Sequence, residues 1–217
     1  MSETDSFIDE VTEEVRRDRL FVLMKRYGWI AILLVFVLVG GAAWNEWSKA
    51  KTRAVAQDFG DNILAALELD ERGDRAKALA ALDSEDPSAK AVLDLLAAGE
   101  FSADDPQAAA ARLLALADRD GTAPVYRQIA ILKAVAIPGS GLSAQDRRAR
   151  LDGIALVGGL TGLLADEQLA YLDIETGDKD AALERLQGII ENAETPAGLR
   201  QRVTQVIVAL GGALPGG

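Results

Sequence analysis

The chain of 217 residues contains no cysteine and no histidine. Without cysteine there is no disulfide, no thiolate nucleophile and no thiolate metal ligand. Without histidine the imidazole base is lost, together with the commonest protein ligand for zinc, copper and haem iron. Aromatic residues make up only 5%, and Val/Ile/Thr clusters are short. Alanine, leucine and charged residues dominate instead, which is the composition of a helical protein. Basic charge is also in deficit: 34 acidic residues outnumber 23 basic ones for a net charge of −11. Such a chain lacks the basic face that a nucleic-acid backbone requires.

Catalytic signatures are missing as well. There is no G-x-S-x-G, no phosphate loop and no nucleophile with a base beside it. The carboxylate pairs Asp104-Asp105 and Glu13-Glu14 read as a turn and a solvated helix face. The glycine-rich run from Gly158-Gly159 to Gly162 has no preceding strand, so it makes a poor phosphate cradle. The sequence therefore points to a binding protein rather than an enzyme, with no cofactor and no metal.

What the chain does have is a long run without charge, "YGWIAILLVFVLVGGAAWN", from Tyr27 to Asn45. As a helix rising about 1.5 Å per residue, this run matches the roughly 30 Å hydrocarbon core of a bilayer. Tyr27 and Trp29 stand at one border and Trp44 and Trp47 at the other, the arrangement of an interfacial aromatic belt. Gly41-Ala42-Ala43 resembles a small-residue cleavage site, but a signal peptide has a shorter apolar region and a short basic leader. Here the leader runs to residue 26 and carries seven acidic residues, Glu3 and Asp18 among them. An uncleaved single-pass anchor over residues 27–47 is the reading that fits. Arg16, Arg17, Arg19, Lys25 and Arg26 precede the run, against Lys49, Lys51 and Arg53 after it. That excess places residues 1–26 in the cytoplasm and residues 48–217 across the membrane.

Phe7, Ile8, Val11, Val15 and Leu20 to Leu23 recur at helical spacing, so residues 5–26 are expected to form an amphipathic helix leading into the anchor. Gly40, Gly41, Ala42 and Ala43 form a small-residue cluster that would let another membrane helix approach closely.

Beyond the anchor, turn residues recur regularly, and helices are expected over 48–71, 74–83, 88–98, 107–119, 123–136, 143–156, 162–176, 178–192 and 196–210. Breaks are expected at Gly73, Gly99, Gly177 and several Asp-Pro or Pro-Gly sites. "ALELDERGDRAKALAAL" (66–82) aligns with "AYLDIETGDKDAALERL" (170–186), which matches Gly73, Asp74 and Ala78 with Gly177, Asp178 and Ala182. In each copy the glycine is expected to cap one helix in the left-handed conformation and the aspartate to start the next. The alanine would then allow close packing, with Leu79, Leu82, Leu183 and Leu186 filling the core. Arg147, Arg148 and Arg150 read as an exposed basic cluster, either a solvated face or a contact for an acidic partner.

This glycine–alanine pattern resembles the turn and second helix of a tetratricopeptide repeat, so the fold class expected is all-α: one transmembrane helix followed by an α-solenoid of helical hairpins. The layout as a whole, with "KRYGWIAILL", the exit "GAAWNEW" and the last Gly-Asp repeat, resembles the YfgM-type family of ancillary subunits of the bacterial SecYEG translocon. The resemblance implies an inner-membrane protein with its helical domain in the periplasm. It further implies association with the translocon and a membrane-anchored folding factor, and assistance to unfolded exported proteins. A scaffold subunit of another envelope assembly shares the same layout.

Overall fold

Proline and acidic N-caps set where most of the helices begin. In the computed structural model, which describes residues 3–213 with side chains from Met24 onward except Ala31, Asp86 accepts from the Ser88 amide at 2.9 Å and Pro87 opens the next helix. Asp105 accepts from the Ala108 amide at 2.9 Å ahead of Pro106, and Ser143 accepts from the Asp146 amide at 3.1 Å. Each cap satisfies an amide that the first helical turn leaves without a partner. The result is all helical among the described residues: α1 Glu3–Leu67, α2 Arg72–Ala81, α3 Pro87–Phe101, α4 Pro106–Ala117, α5 Pro124–Ala136, α6 Ala144–Ala155, α7 Gly159–Thr176, α8 Lys179–Glu191 and α9 Ala197–Ala209.

Beyond shifts of one or two residues, four boundaries differ from the sequence expectation, one of them the start of α7, which lies at Gly159 instead of 162. No helix begins at residue 48, because nothing between 47 and 67 caps or breaks α1. Gly99 does not end α3, which runs on to Phe101. Phe101 packs against two clusters, one around Leu113 and Leu116 and one around Leu79 and Ala97. That burial outweighs the roughly 1 kcal/mol an interior glycine costs a helix. The break expected at Gly73 falls earlier, between Leu67 and Arg72.

The chain divides into two units, Met1–Asp61 and Asn62–Gly217. The first consists of the larger part of α1. Its backbone is helical through the leader, but the amphipathic pattern expected of Phe7, Ile8, Val11, Val15 and Leu20 to Leu23 rests on side chains outside the described residues.

In the second unit each helix packs on the next from α2 to α9, and α3 also packs on α5 and α5 on α7. The core is rich in alanine: Ala91, Ala98, Ala109, Ala130 and Ala134 surround Leu113 and Leu116 with almost no exposure. Small side chains let helix axes approach toward the short end of the usual 8–10 Å range. Two further clusters follow along the chain, one around Leu151, Ile154 and Leu169, the other around Leu186, Val203 and Ile207.

Candidate functional site

The first candidate is the apolar stretch of α1. Among the described residues it is the one helix long and apolar enough to cross a membrane, and none of its apolar window is buried. Tyr27, Trp29, Trp44 and Trp47 are all exposed. Trp44 and Trp47, one helical turn apart, lie with ring centroids 5.3 Å apart at 52°. The Arg26 guanidinium sits 5.8 Å from the Tyr27 ring centroid, within reach of its negative face. Gly40, Gly41, Ala42 and Ala43 are exposed, and a Cβ added at Gly40 or Gly41 meets no atom within 4 Å.

The two Gly-Asp sites are not equivalent. Gly177 caps α7 in the left-handed conformation at φ 86°, and Asp178 caps α8 by accepting from the Ala181 amide at 3.1 Å. Ala182 is fully buried. Gly73, by contrast, lies inside the first turn of α2 without positive φ, and the N-cap there is Glu71. Asp74 is exposed in that same turn, and Ala78 is half-buried while Ala76 takes the buried position. Counted from the caps, Leu79 stands eight residues after Glu71 and Leu186 eight after Asp178, and both have zero exposure. The sequence alignment had paired Leu79 with Leu183, three residues away. It followed the Gly-Asp letters, whereas the core follows the helix start.

The basic cluster of α6 is neither a solvated face nor a free docking site. Arg147 pairs with Glu175 at 2.5 Å, Arg148 with Asp173, and Arg150 with Asp118 at 2.5 Å. These pairs hold Asp118 and Glu175 below the usual carboxylate range, the hydrogen bond from arginine being the main cause. They also tie α6 to α7 and to the end of α4.

Buried carboxylates are the residues that the sequence reading missed. Asp94 on α3 accepts from Arg112 at 2.9 Å and Arg119 at 2.6 Å. Asp173 on α7 is held by Arg148 of α6 and Arg185 of α8, the latter at 3.2 Å. Glu167 on α7 is held by Arg202 of α9 and receives the Tyr171 hydroxyl at 2.9 Å. Burial, then this hydrogen bond, pushes the Tyr171 phenol above its usual range. In sequence these carboxylates are marked by their position on apolar stripes, as in "AVLDLLA" and "AYLDIET". A buried charge at such a position requires a partner. Here the arginines consume the carboxylates structurally, and no group of three His, Cys, Asp or Glu side chains converges as a metal site among the described residues.

Two surface features remain. The turn between α6 and α7 exposes Leu156 and Val157, with Leu156 at 89%, and the first turn of α7 exposes Leu160, next to the positive-φ glycines Gly158 and Gly159. Beside α7 and α8 lies a depression of about 470 Å³ that includes Leu163, Asp166, Glu184, Arg185, Gly188 and Ile189. Burial pushes the Asp166 carboxyl up, with Arg185 opposing. Compared with protein-family models, with curated proteins and with solved structures, the chain has no match.

Proposed function

We propose that the chain is a single-pass inner-membrane protein, N-terminus cytoplasmic, whose helical unit acts in the periplasm as a passive adaptor for protein export. The observation that carries this reading is one long apolar helix with no cover from its own chain, joined in sequence to a unit of packed helices. An uncovered apolar helix of this length finds its stable environment in lipid. The five positive charges before the apolar run, against three after it, support the orientation.

Packing of each helix on the next, with α3 on α5 and α5 on α7, supports reading α2 to α9 as a tetratricopeptide-like solenoid. Such an array holds extended or partly folded chains through surface complementarity, without ATP or cofactor. The resemblance to YfgM-type subunits supplies the partners: the SecYEG translocon, a membrane-anchored folding factor and unfolded exported proteins. Gly40, Gly41, Ala42 and Ala43 would face a partner's transmembrane helix.

Purification from native membranes in mild detergent, followed by mass spectrometry, tests this reading. Translocon subunits and exported proteins are expected. Their absence overturns it, and a different stoichiometric envelope assembly would assign the scaffold role instead. A periplasm-dependent reporter fused after Gly217 should be active, whereas a stable but inactive fusion would reverse the orientation.

A further inference from the structure

Past its apolar run, α1 continues without a break and without cover. Every residue from Gly41 to Asp58 is exposed. The turns beyond Trp47 lie outside the apolar run, and a helix of only about 12–15 residues is marginal in water unless something packs on it. Thr52 and Val55, both β-branched, and Gly60 lower its helix propensity further. The Arg53–Glu46 pair at 3.5 Å is exposed on both sides and lends little. This stretch of helix is short of stabilising contacts.

Its surface shows where a partner fits. At about 3.6 residues per turn, Asn45, Ser48, Thr52, Val55 and Phe59 form one stripe with alternating spacings of three and four. Six charged residues lie between positions 45 and 62, and all fall off that stripe, with Lys49 and Lys51 flanking it. Further along, Ile63 and Ala66 on the same stripe are packed with Leu79 and Ala97. The stripe is a packing face, covered at its end and bare from Asn45 to Val55, about 15 Å of helix.

We propose that this stripe is the seam of a parallel two-stranded coiled coil between two copies of the chain. The spacing places Asn45, Thr52 and Phe59 at the a positions and Ser48 and Val55 at the d positions. In register, the Asn45 amides of the two copies stand opposite and satisfy each other, the role of a single asparagine at an a position. At the edges Trp44 of each copy faces Lys49 of the other, a cation–π pair made twice, and Lys51 faces Ala56. No like charges meet there. An unrelated helix would have to supply a matching asparagine and lysine, which a second copy carries by identity. Copies anchored by the same segment also share one membrane, and that raises their effective concentration and offsets a seam with few large apolar side chains. The seam goes beyond the adaptor reading and takes from it only the membrane segment, which sets the two copies parallel.

The lack of native cysteine makes disulfide mapping direct. In the full chain in native membranes, single cysteines replace Ser48 or Val55 on the stripe, and Ala50 or Ala54 on the far side, all four exposed. Mild oxidation should link Ser48→Cys and Val55→Cys into a species of twice the 23.0 kDa chain mass. Ala50→Cys and Ala54→Cys should link at least about tenfold more slowly, since their Cβ atoms point away from the seam. Adding Val55→Asp should slow the Ser48→Cys link about tenfold by setting two carboxylates together, whereas Ala54→Asp should leave it unchanged. Unchanged circular dichroism and melting should confirm that both variants are folded. Equal linking at all four positions, no linking, or linking to a species of another mass overturns the seam, and the last assigns the stripe to a different protein. Carbonate extraction of the same membranes tests the anchor separately. A retained chain that fails to link removes the seam alone, a released chain removes the membrane segment, and the linking pattern decides the seam in either event.

Discussion

Arg202 on α9 grips the carboxylate of Glu167 on α7 through two contacts, Nε to Oε1 at 2.5 Å and Nη2 to Oε2 at 2.7 Å. Glu167 is almost wholly buried, while half of the Arg202 side chain reaches solvent. Replacing Arg202 with methionine leaves a buried carboxylate whose remaining partner is the Tyr171 hydroxyl. Breaking a buried pair costs about 3–5 kcal/mol, and the exposed guanidinium reduces this to about 2–3 kcal/mol. A fall in Tm of about 4–12 °C is expected by circular dichroism. Adding Glu167→Gln to Arg202→Met should restore part of the loss, because the unpaired charge is removed.

The two Gly-Asp sites should respond oppositely to alanine. Gly177→Ala forces a side chain into the left-handed region at φ 86° and is expected to cost about 1–2 kcal/mol. Gly73→Ala adds a methyl to open space within a right-handed turn and should be neutral or stabilise by up to about 1 kcal/mol. Chemical denaturation of the two variants compares them directly. Equal losses would restore the equivalence of the two turns.

Acid should loosen α6. Asp118 and Glu175 are depressed in the folded state, so each binds protons less readily folded than unfolded. Their contribution is present above the usual carboxylate pKa of about 4 and is lost as the pH falls through their lower folded values. Both carboxylates are more than half exposed, which limits each to no more than about 1 kcal/mol. Asp166 has the opposite sign: its folded value is raised by burial, so its contribution favours the fold below the usual range and is lost as the pH rises through the folded value. Asp118→Asn is expected to be slightly less stable than wild type at pH 7 and indistinguishable from it in strong acid, as measured by denaturation across pH.

Arginine within the apolar run tests the membrane segment. Leu34 and Val37 are both exposed on α1. Each arginine at the centre of a span costs about 2.5–3.5 kcal/mol of insertion. Leu34→Arg combined with Val37→Arg should move the chain from the carbonate-resistant membrane pellet into the extractable fraction. Retention of the double variant in the pellet would show that this run does not anchor the chain.

Much of the helix punctuation was legible because caps and breakers act locally. Asp86-Pro87, Asp105-Pro106 and Gly177-Asp178 each define a boundary through bonds within a few residues. Gly73 and Gly99 misled the reading for a complementary reason. Glycine permits a break but does not compel one, and burial of Phe101 carried α3 past Gly99. The α6 arginines looked free in sequence because their partners Asp118, Asp173 and Glu175 lie 25 to 32 residues away. The depression beside α8 was not legible at all, since it forms where residues of two helices meet.

The sequence by itself determined the helical class, the positions of most caps and the presence of a helix apolar enough for lipid. These properties depend on composition, short spacing and uninterrupted runs of residue type. Only the tertiary structure decided which carboxylates are buried, which arginines they consume, and where the depression beside α8 opens. Those outcomes depend on distances between helices, and no local pattern encodes them.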